Sequence, residues 1–146
     1  MLIDKITVND IQIGIQADNW EDAIKKSSQI LLDKGAIEQS YVDAMIKVLY
    51  ENGPYIVISK HVALAHTRPE FGARKMALSF STLNPPVNFG SEMFDPIKLI
   101  ITLSAVDQDA HIDLMGELTD ILLDDEKVKA LFNAESGQAF LEILKR

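Results

Sequence analysis

The segment "IKLIITLSAV", residues 97–106, constrains the fold of this chain more than any other. If it forms a strand, apolar side chains lie on both of its faces. A strand with one face in water alternates apolar and polar residues, whereas a strand covered on both faces does not. The segment therefore predicts a central strand packed between two layers.

Strand and helix patterns alternate along the rest of the chain. Period-two or short β-branched runs predict strands at 11–16, 55–59 and 74–83, and the turn-rich segment 84–96 has room for a brief strand near Val87. Amphipathic patterns predict helices from a cap at Asp18 to Gly35, from a cap at Ser40 to Gly53, and from a cap at Asp109 to about residue 126, with two short helices near 126–133 and 137–145. This order predicts one α/β domain over residues 1–146, with a mixed sheet of about five strands covered by helices on both faces.

Composition narrows the classes of function. The net charge of −8 and the lack of clustered Lys and Arg argue against nucleic-acid binding. The chain has no cysteine, so thiolate nucleophiles and thiolate metal sites are excluded. No apolar run approaches the roughly 18 residues of a membrane span, and "MLIDKITVND" lacks a secretory signal pattern. These features predict a cytoplasmic protein without direct membrane insertion.

Three histidines are the main candidates for chemistry. His61 and His66 lie in "HVALAHTRPE", predicted as a loop after the strand at 55–59, and His111 lies two residues past the predicted cap of the helix after the strand at 97–106. If these two strands are parallel in one sheet, His66 and His111 meet at its edge. Ligands usually bind at that edge in α/β proteins.

Several roles for the histidines compete. Zinc could be bound by histidines with an aspartate at 107, 109 or 113, but the spacing matches no ligand signature such as H-E-x-x-H. A serine hydrolase would need a G-x-S-x-G elbow, and none occurs. An ordinary packed or exposed histidine is the usual outcome for any single position, and it is the interpretation favoured for His61.

The remaining role is a nucleophilic imidazole. A neutral histidine carries a lone pair on one ring nitrogen, while the other nitrogen can be held as a donor. An attack on phosphorus needs donors for the phosphoryl oxygens, and these could come from the N-terminus of the helix near 109, the His111 side chain and the Thr67 hydroxyl. The residues alone make this role chemically feasible without selecting it.

A resemblance to a known protein family favours the nucleophilic role. The segments "GPYIVISKHVALAHTRPEFGARKMALSFSTLNPPVNFG" and "DPIKLIITLSAVDQDAHIDLMGELTDILLD" resemble the Enzyme IIA domains of the bacterial sugar phosphotransferase system, fructose–mannitol type, most closely the ascorbate-type branch. The "ALAH" run is similar to the family's A-L-P-H, and "SAVDQDAH" to its second histidine motif. The resemblance covers nearly the whole chain, including "WEDAI" in the first helix.

The resemblance implies a phosphoryl carrier. His66 matches the phosphorylated histidine and His111 the second active-site histidine, while Thr67 and Arg68 are candidate phosphate contacts, with a solvated surface arginine as the alternative at 68. The phosphocarrier protein HPr would donate to His66, and His66 would pass the group to Enzyme IIB, which serves the membrane Enzyme IIC. The substrate would be a sugar, a sugar alcohol or an ascorbate-like compound. No metal or organic cofactor is implied, and the oligomeric state is left open, a homo-oligomer included.

The chain departs from the family pattern at a few positions. Ala65 replaces the usual proline, His61 stands where a small residue is common, and "VLYENGP" lacks the arginine of mannitol-type members, as it does in ascorbate-type members. A second function also fits the resemblance. Some Enzyme IIA-like proteins are regulatory modules whose phosphorylation state controls a partner protein.

Overall fold

The computed structural model describes residues 2–146, so Met1 lies outside the described residues. Within those residues, five strands and six α-helices follow one another. The strands are β1 (Ile11–Ile15), β2 (Val57–Ser59), β3 (Val62–Ala65), β4 (Ala77–Val87) and β5 (Ile97–Ser104). The helices are α1 (Trp20–Ser27), α2 (Gln29–Asp33), α3 (Gln39–Asn52), α4 (Gln108–Leu122), α5 (Asp125–Phe132) and α6 (Gly137–Leu144).

The five strands form one mixed sheet in the order β1-β4-β5-β3-β2. β5 lies in the centre, pairing antiparallel with β4 and parallel with β3. β1 adds parallel to β4, and β2 adds antiparallel to β3. The carboxyl ends of β3 and β5 therefore meet at the same edge of the sheet.

Two hydrophobic layers cover the sheet. One face packs against α1–α3, through core residues such as Ile24, Met45 and Ile100. The other packs against α4–α6, through residues such as Leu114, Phe140 and Ile101. Ile100 and Ile101 are neighbours in β5 and enter opposite layers, because successive side chains of a strand point to opposite faces. The predicted α/β architecture, with a central strand covered on both sides, is confirmed.

The largest differences from the predicted strands are at β3 and β4. The segment after β2 is not a loop, because residues 62–65 form the fully buried strand β3. β4 begins at Ala77 and continues through Pro85 and Pro86 to Val87, with an irregular register between Thr82 and Val87. Proline is tolerated there because residues 84–86 are exposed and lie in the irregular part of the ladder.

The helix caps also differ from the prediction. Asn19, not Asp18, caps α1, and its side chain accepts from the amide of Asp22 at 2.8 Å. α3 begins one residue before Ser40, whose hydroxyl instead donates to the carbonyl of Phe71. The predicted first helix is two helices, interrupted at Ser28. Next to the break, the buried Ser27 hydroxyl donates to the Ile24 carbonyl at 3.2 Å, a side-chain bond of the kind that competes with helical backbone bonds.

Candidate active site

The parallel pairing of β3 with β5 brings two of the three histidines together. His66 directly follows β3, and His111 lies in the first turns of α4, which follows β5. The Ala65–Thr102 pair sets the register immediately before the site. The ring centroids of His66 and His111 are 5.9 Å apart. The predicted meeting of His66 and His111 at the sheet edge is confirmed.

A backbone carbonyl fixes the proton on one nitrogen of His66. Nδ1 lies 2.7 Å from the carbonyl oxygen of Leu64. A carbonyl oxygen only accepts hydrogen bonds, so Nδ1 carries the hydrogen and donates it. In the neutral ring, the lone pair is then on Nε2. The neutral ring therefore has one specific nitrogen, Nε2, with an available lone pair.

The surroundings of His66 favour its neutral form. Burial lowers the pKa of His66, and the nearby His111 lowers it further, while the hydrogen bond to Leu64 acts in the opposite direction. Burial disfavours the charged imidazolium because it removes water from around the charge. A larger fraction of His66 is therefore unprotonated, and able to attack, than for a solvated histidine at the same pH.

Two tyrosines contact the backbone that follows His66. The Tyr55 hydroxyl donates to the His66 carbonyl at 2.6 Å, and the Tyr55 ring lies edge-on to the imidazole with centroids 5.7 Å apart. The buried Tyr41 hydroxyl donates to the Leu103 carbonyl at 2.8 Å and accepts from the Thr67 amide at 3.2 Å. Burial raises the pKa of Tyr41 to about 12, so its hydroxyl stays protonated and can donate.

The predicted phosphate contacts line a cleft beside His66. The cleft has a volume of about 600 Å³, and its wall includes Thr67, Arg68, Phe71 and Asn52. The Thr67 side chain is also hydrogen-bonded to Tyr55, whose pKa is raised mainly by burial and lowered by this bond. The Arg68 side chain is 78% exposed, and its guanidinium lies 4.0 Å from the Glu70 carboxylate. Such an exposed pair constrains the arginine weakly.

The N-terminus of α4 faces the same cleft, but its cap differs from the prediction. Asp107 is the cap, and its Oδ1 accepts from the Ala110 amide at 2.7 Å, so Asp109 lies in the first turn instead. The amides of Gln108 and Asp109 have no acceptor within the helix, as in any first helical turn. The positive end of the helix therefore lies beside His111, together with the negative carboxylate of Asp107.

His61 lies away from this site. It occupies the β2–β3 turn, at the opposite end of β3 from His66, about 13 Å along a four-residue strand. Its Nδ1 lies 2.6 Å from the Pro96 carbonyl, and its ring lies edge-on to Phe132. Its φ of 68° is the one positive value among the non-glycine residues that the structure describes. These contacts give His61 a structural role, in agreement with the interpretation favoured from sequence.

Two absences concern residues 2–146, the part of the chain that the structure describes. Within that range, no group of three or more His, Cys, Asp or Glu side chains is placed to hold a metal ion. No helix of that range is both long and apolar enough to cross a membrane.

Sequence reasoning missed both tyrosines and the Asp107 cap. Tyr55 stood in a segment predicted as a strand, and Tyr41 on the apolar side of a predicted helix. A tyrosine in a buried segment needs a partner for its hydroxyl. That rule marks Tyr41 and Tyr55 as residues with a polar partner, but it does not identify the partner.

Comparison with known proteins agrees with this fold. A sequence model of the family "Phosphoenolpyruvate-dependent sugar phosphotransferase system, EIIA 2" matches residues 4–146. The mannitol-specific cryptic phosphotransferase enzyme IIA component of Escherichia coli is 36% identical over 99% of this chain and 98% of its own length. The solution structure of the E. coli cryptic mannitol enzyme IIA, CmtB, superposes with a TM-score of 0.91 at 35% identity, covering 100% of this chain and 99% of that chain.

Two further relatives come from systems with different names. The ascorbate-specific EIIA component of Shigella boydii is 29% identical over 93% of this chain and 89% of its own length. The E. coli complex of enzyme IIAMTL with phosphorylated enzyme IIBMTL matches with a TM-score of 0.83 at 26% identity, covering 96% of this chain and 96% of that chain.

The fold and the paired histidines define a protein of the Enzyme IIA class, and the chain belongs to the EIIA 2 family of the phosphoenolpyruvate-dependent sugar phosphotransferase system. It is therefore a phosphotransferase component. An Enzyme IIA works between HPr, which supplies the phosphoryl group, and Enzyme IIB, which receives it.

Proposed function

We propose that His66 is the phosphoryl acceptor and that Nε2 is the reacting nitrogen. The observation that supports this most is the hydrogen bond from Nδ1 to the Leu64 carbonyl, which leaves the lone pair on Nε2. The Nε2 lone pair attacks the phosphorus of phospho-HPr and forms a P–N bond. The P–N bond to the HPr imidazole breaks, and its electron pair stays on that nitrogen. In the second transfer, a nucleophile of Enzyme IIB forms the new bond to phosphorus. The P–N bond to His66 breaks, and its electron pair returns to Nε2.

His111 acts as a stabiliser of the phosphoryl oxygens. Phosphoryl transfer needs positioning and charge stabilisation more than covalent assistance. His111 lies beside His66 and at the positive end of α4, where an anion is favoured. The Thr67 hydroxyl and the Arg68 guanidinium are further contacts that the cleft offers. We assign both as phosphate-binding residues, with Arg68 recruited from its exposed position when a partner docks.

The whole chain, residues 1–146, is proposed to act as one Enzyme IIA domain in the cytoplasm. Both hydrophobic layers pack on a single sheet, which supports one domain. The cytoplasm is the compartment where phosphoenolpyruvate, named in the family description, is a metabolite. The names of the relatives support a sugar alcohol or an ascorbate-like compound as the substrate of the system.

A relay assay tests these assignments. The protein is incubated with phospho-HPr, and the modified residue is mapped by mass spectrometry under conditions that preserve P–N bonds. We expect the phosphoryl group on His66, and a folded His66→Ala variant that accepts none. His61→Ala is the matched control and should accept at the wild-type rate. A phosphoryl group on His61, or on a serine, would contradict the assignment.

The same assay separates the roles of the two neighbouring histidines. His111→Ala should still be phosphorylated at His66, because the nucleophile is intact. Transfer onward to Enzyme IIB should slow by up to about a hundredfold, the usual effect of losing one preorganised donor, and less if solvent reaches the site. His111→Gln keeps a neutral donor and should slow transfer less. Wild-type rates for both variants at saturating partner would remove His111 from the mechanism.

A further inference from the structure

Tyrosine hydroxyls hold both polar groups of a single peptide bond, the bond between His66 and Thr67. Tyr55 donates to its carbonyl oxygen at 2.6 Å, and Tyr41 accepts from its N–H at 3.2 Å. The two groups lie in one rigid plane because the peptide bond has partial double-bond character. Hydrogen bonds at both of its edges therefore fix the orientation of that plane.

The two tyrosines connect this peptide to different parts of the fold. Tyr41 is only 1% exposed, lies in the first turn of α3, and donates to Leu103 in the central strand β5. Tyr55 precedes β2 and is 36% exposed at the cleft. The peptide is thus connected to a helix, to the central strand and to the segment leading into an edge strand.

This arrangement determines where the His66 side chain points. The direction of a side chain follows from the two peptide planes that flank its Cα. On the amino-terminal side, Ala65 is held by its pairing with Thr102 in β5. On the carboxyl-terminal side, the tyrosines hold the next plane. With both planes fixed, the Cα–Cβ bond of His66 has one direction, and the Nδ1 bond to the Leu64 carbonyl and the edge contact with the Tyr55 ring then hold the imidazole about its side-chain torsions.

We propose that Tyr55 is a positioning residue for phosphoryl transfer: with Tyr41, it fixes the peptide after His66 and thereby the tautomer that leaves Nε2 as the nucleophile. The proposal rests on His66 being the phosphoryl acceptor. It adds a residue that acts through the His66 backbone and ring, and the tautomer of His66 is the readout that separates this role from the bond of Tyr55 to the Thr67 side chain.

The test compares Tyr55→Phe with Tyr50→Phe. Both changes remove one hydroxyl and keep the ring, but Tyr50 is 68% exposed on α3 and contacts Trp20 rather than the cleft. The first readout is the ¹⁵N NMR signal of the His66 ring in the unphosphorylated protein at a pH where the ring is neutral. We expect the proton on Nδ1 in the wild type and in Tyr50→Phe. In Tyr55→Phe, the fraction with the proton on Nε2 should rise.

The second readout is the kinetics of acceptance from phospho-HPr. Loss of one neutral hydrogen bond should lower kcat roughly three- to tenfold in Tyr55→Phe, with KM for phospho-HPr unchanged. Tyr50→Phe should match the wild type. If the His66 tautomer is unchanged in Tyr55→Phe, the proposal is overturned. This holds whether the rate of acceptance is normal or KM for phospho-HPr alone has risen. The tautomer is measured without phosphorylation, so failure of His66 as the acceptor would appear separately, as unmodified His66 in the wild type.

Discussion

The Leu64 carbonyl decides which nitrogen of His66 carries a proton, and burial decides whether the second nitrogen carries one too. These effects act on different equilibria. The hydrogen bond selects a tautomer of the neutral ring, whereas burial shifts the pKa between the neutral ring and the imidazolium. The hydrogen bond leaves Nε2 unprotonated in the neutral ring but also raises the pKa of His66, and burial, the larger influence on the pKa, outweighs that rise.

A titration tests the effect of burial on His66. Because burial lowers the pKa of His66, we expect an NMR midpoint below the ordinary value of 6.5. The unfolded chain then binds this proton more readily than the folded chain. The contribution of His66 to stability is therefore present above pH 6.5 and is lost as the pH falls towards the folded midpoint.

His111→Gln provides the comparison for that titration. Removing the second imidazole removes its electrostatic effect, so the midpoint of His66 should rise. It should stay below 6.5, because burial is the larger cause. A wild-type midpoint at or above 6.5 would show that burial does not outweigh the Leu64 hydrogen bond and that the surroundings of His66 do not favour its neutral form.

At the scale of elements, the start of α4 combines a structural cap with the proposed phosphoryl site. The Asp107 carboxylate accepts the hydrogen bond of the Ala110 amide. The donors left for a phosphoryl group at the proposed site are the other first-turn amides and the His111 side chain. The carboxylate also repels a phosphoryl dianion. The cap therefore stabilises the helix while opposing part of the favourable helix dipole at the site.

Substitutions at Asp107 test its assignment as the cap. Asp107→Ala should lower the free energy of unfolding by about 1 kcal/mol, as is typical for loss of a side-chain cap. Asp107→Asn should change it by only a few tenths of that, because asparagine also accepts the Ala110 amide. Urea denaturation measures both values. If Asp109→Ala destabilises more than Asp107→Ala, the helix begins where the sequence pattern predicted instead.

At the scale of the whole molecule, strand order creates the site. His66 and His111 are 45 positions apart in the sequence and meet only because β3 and β5 run parallel as neighbours. Their connection passes through β4, which lies on the other side of β5. The donors that line the site are imidazole, hydroxyl, guanidinium and backbone groups.

This set of donors predicts phosphoryl transfer that does not depend on a metal bound to this chain. Within residues 2–146, no three ligating side chains are placed to hold an ion, and the full sequence has no cysteine. Acceptance from purified phospho-HPr should keep its wild-type rate after exhaustive chelation of the protein. The assay starts from phospho-HPr, so that a metal requirement of the earlier steps cannot affect the measured rate. Activity lost on chelation and restored by zinc would establish a metal site instead.

The sequence alone was enough to predict the layers of this fold and the sheet edge at which His66 and His111 lie. The doubly apolar segment at 97–106 predicted a central covered strand, since periodicity records which faces of an element are buried. The family motifs ending at His66 and His111 predicted the residues at the sheet edge. Such features depend on residue types a few positions apart, and these can be read along the chain.

Only the tertiary structure decided which strand precedes His66 and which hydrogen bonds hold the backbone after it. The four residues of β3 were too short a run to be separated from a loop by pattern, and pairing with β5 on one side and β2 on the other makes them a strand. Tyr41 reaches Thr67 across 26 positions and Leu103 across 62. The partner of a hydroxyl over such distances depends on strand register and helix packing, which no local pattern encodes.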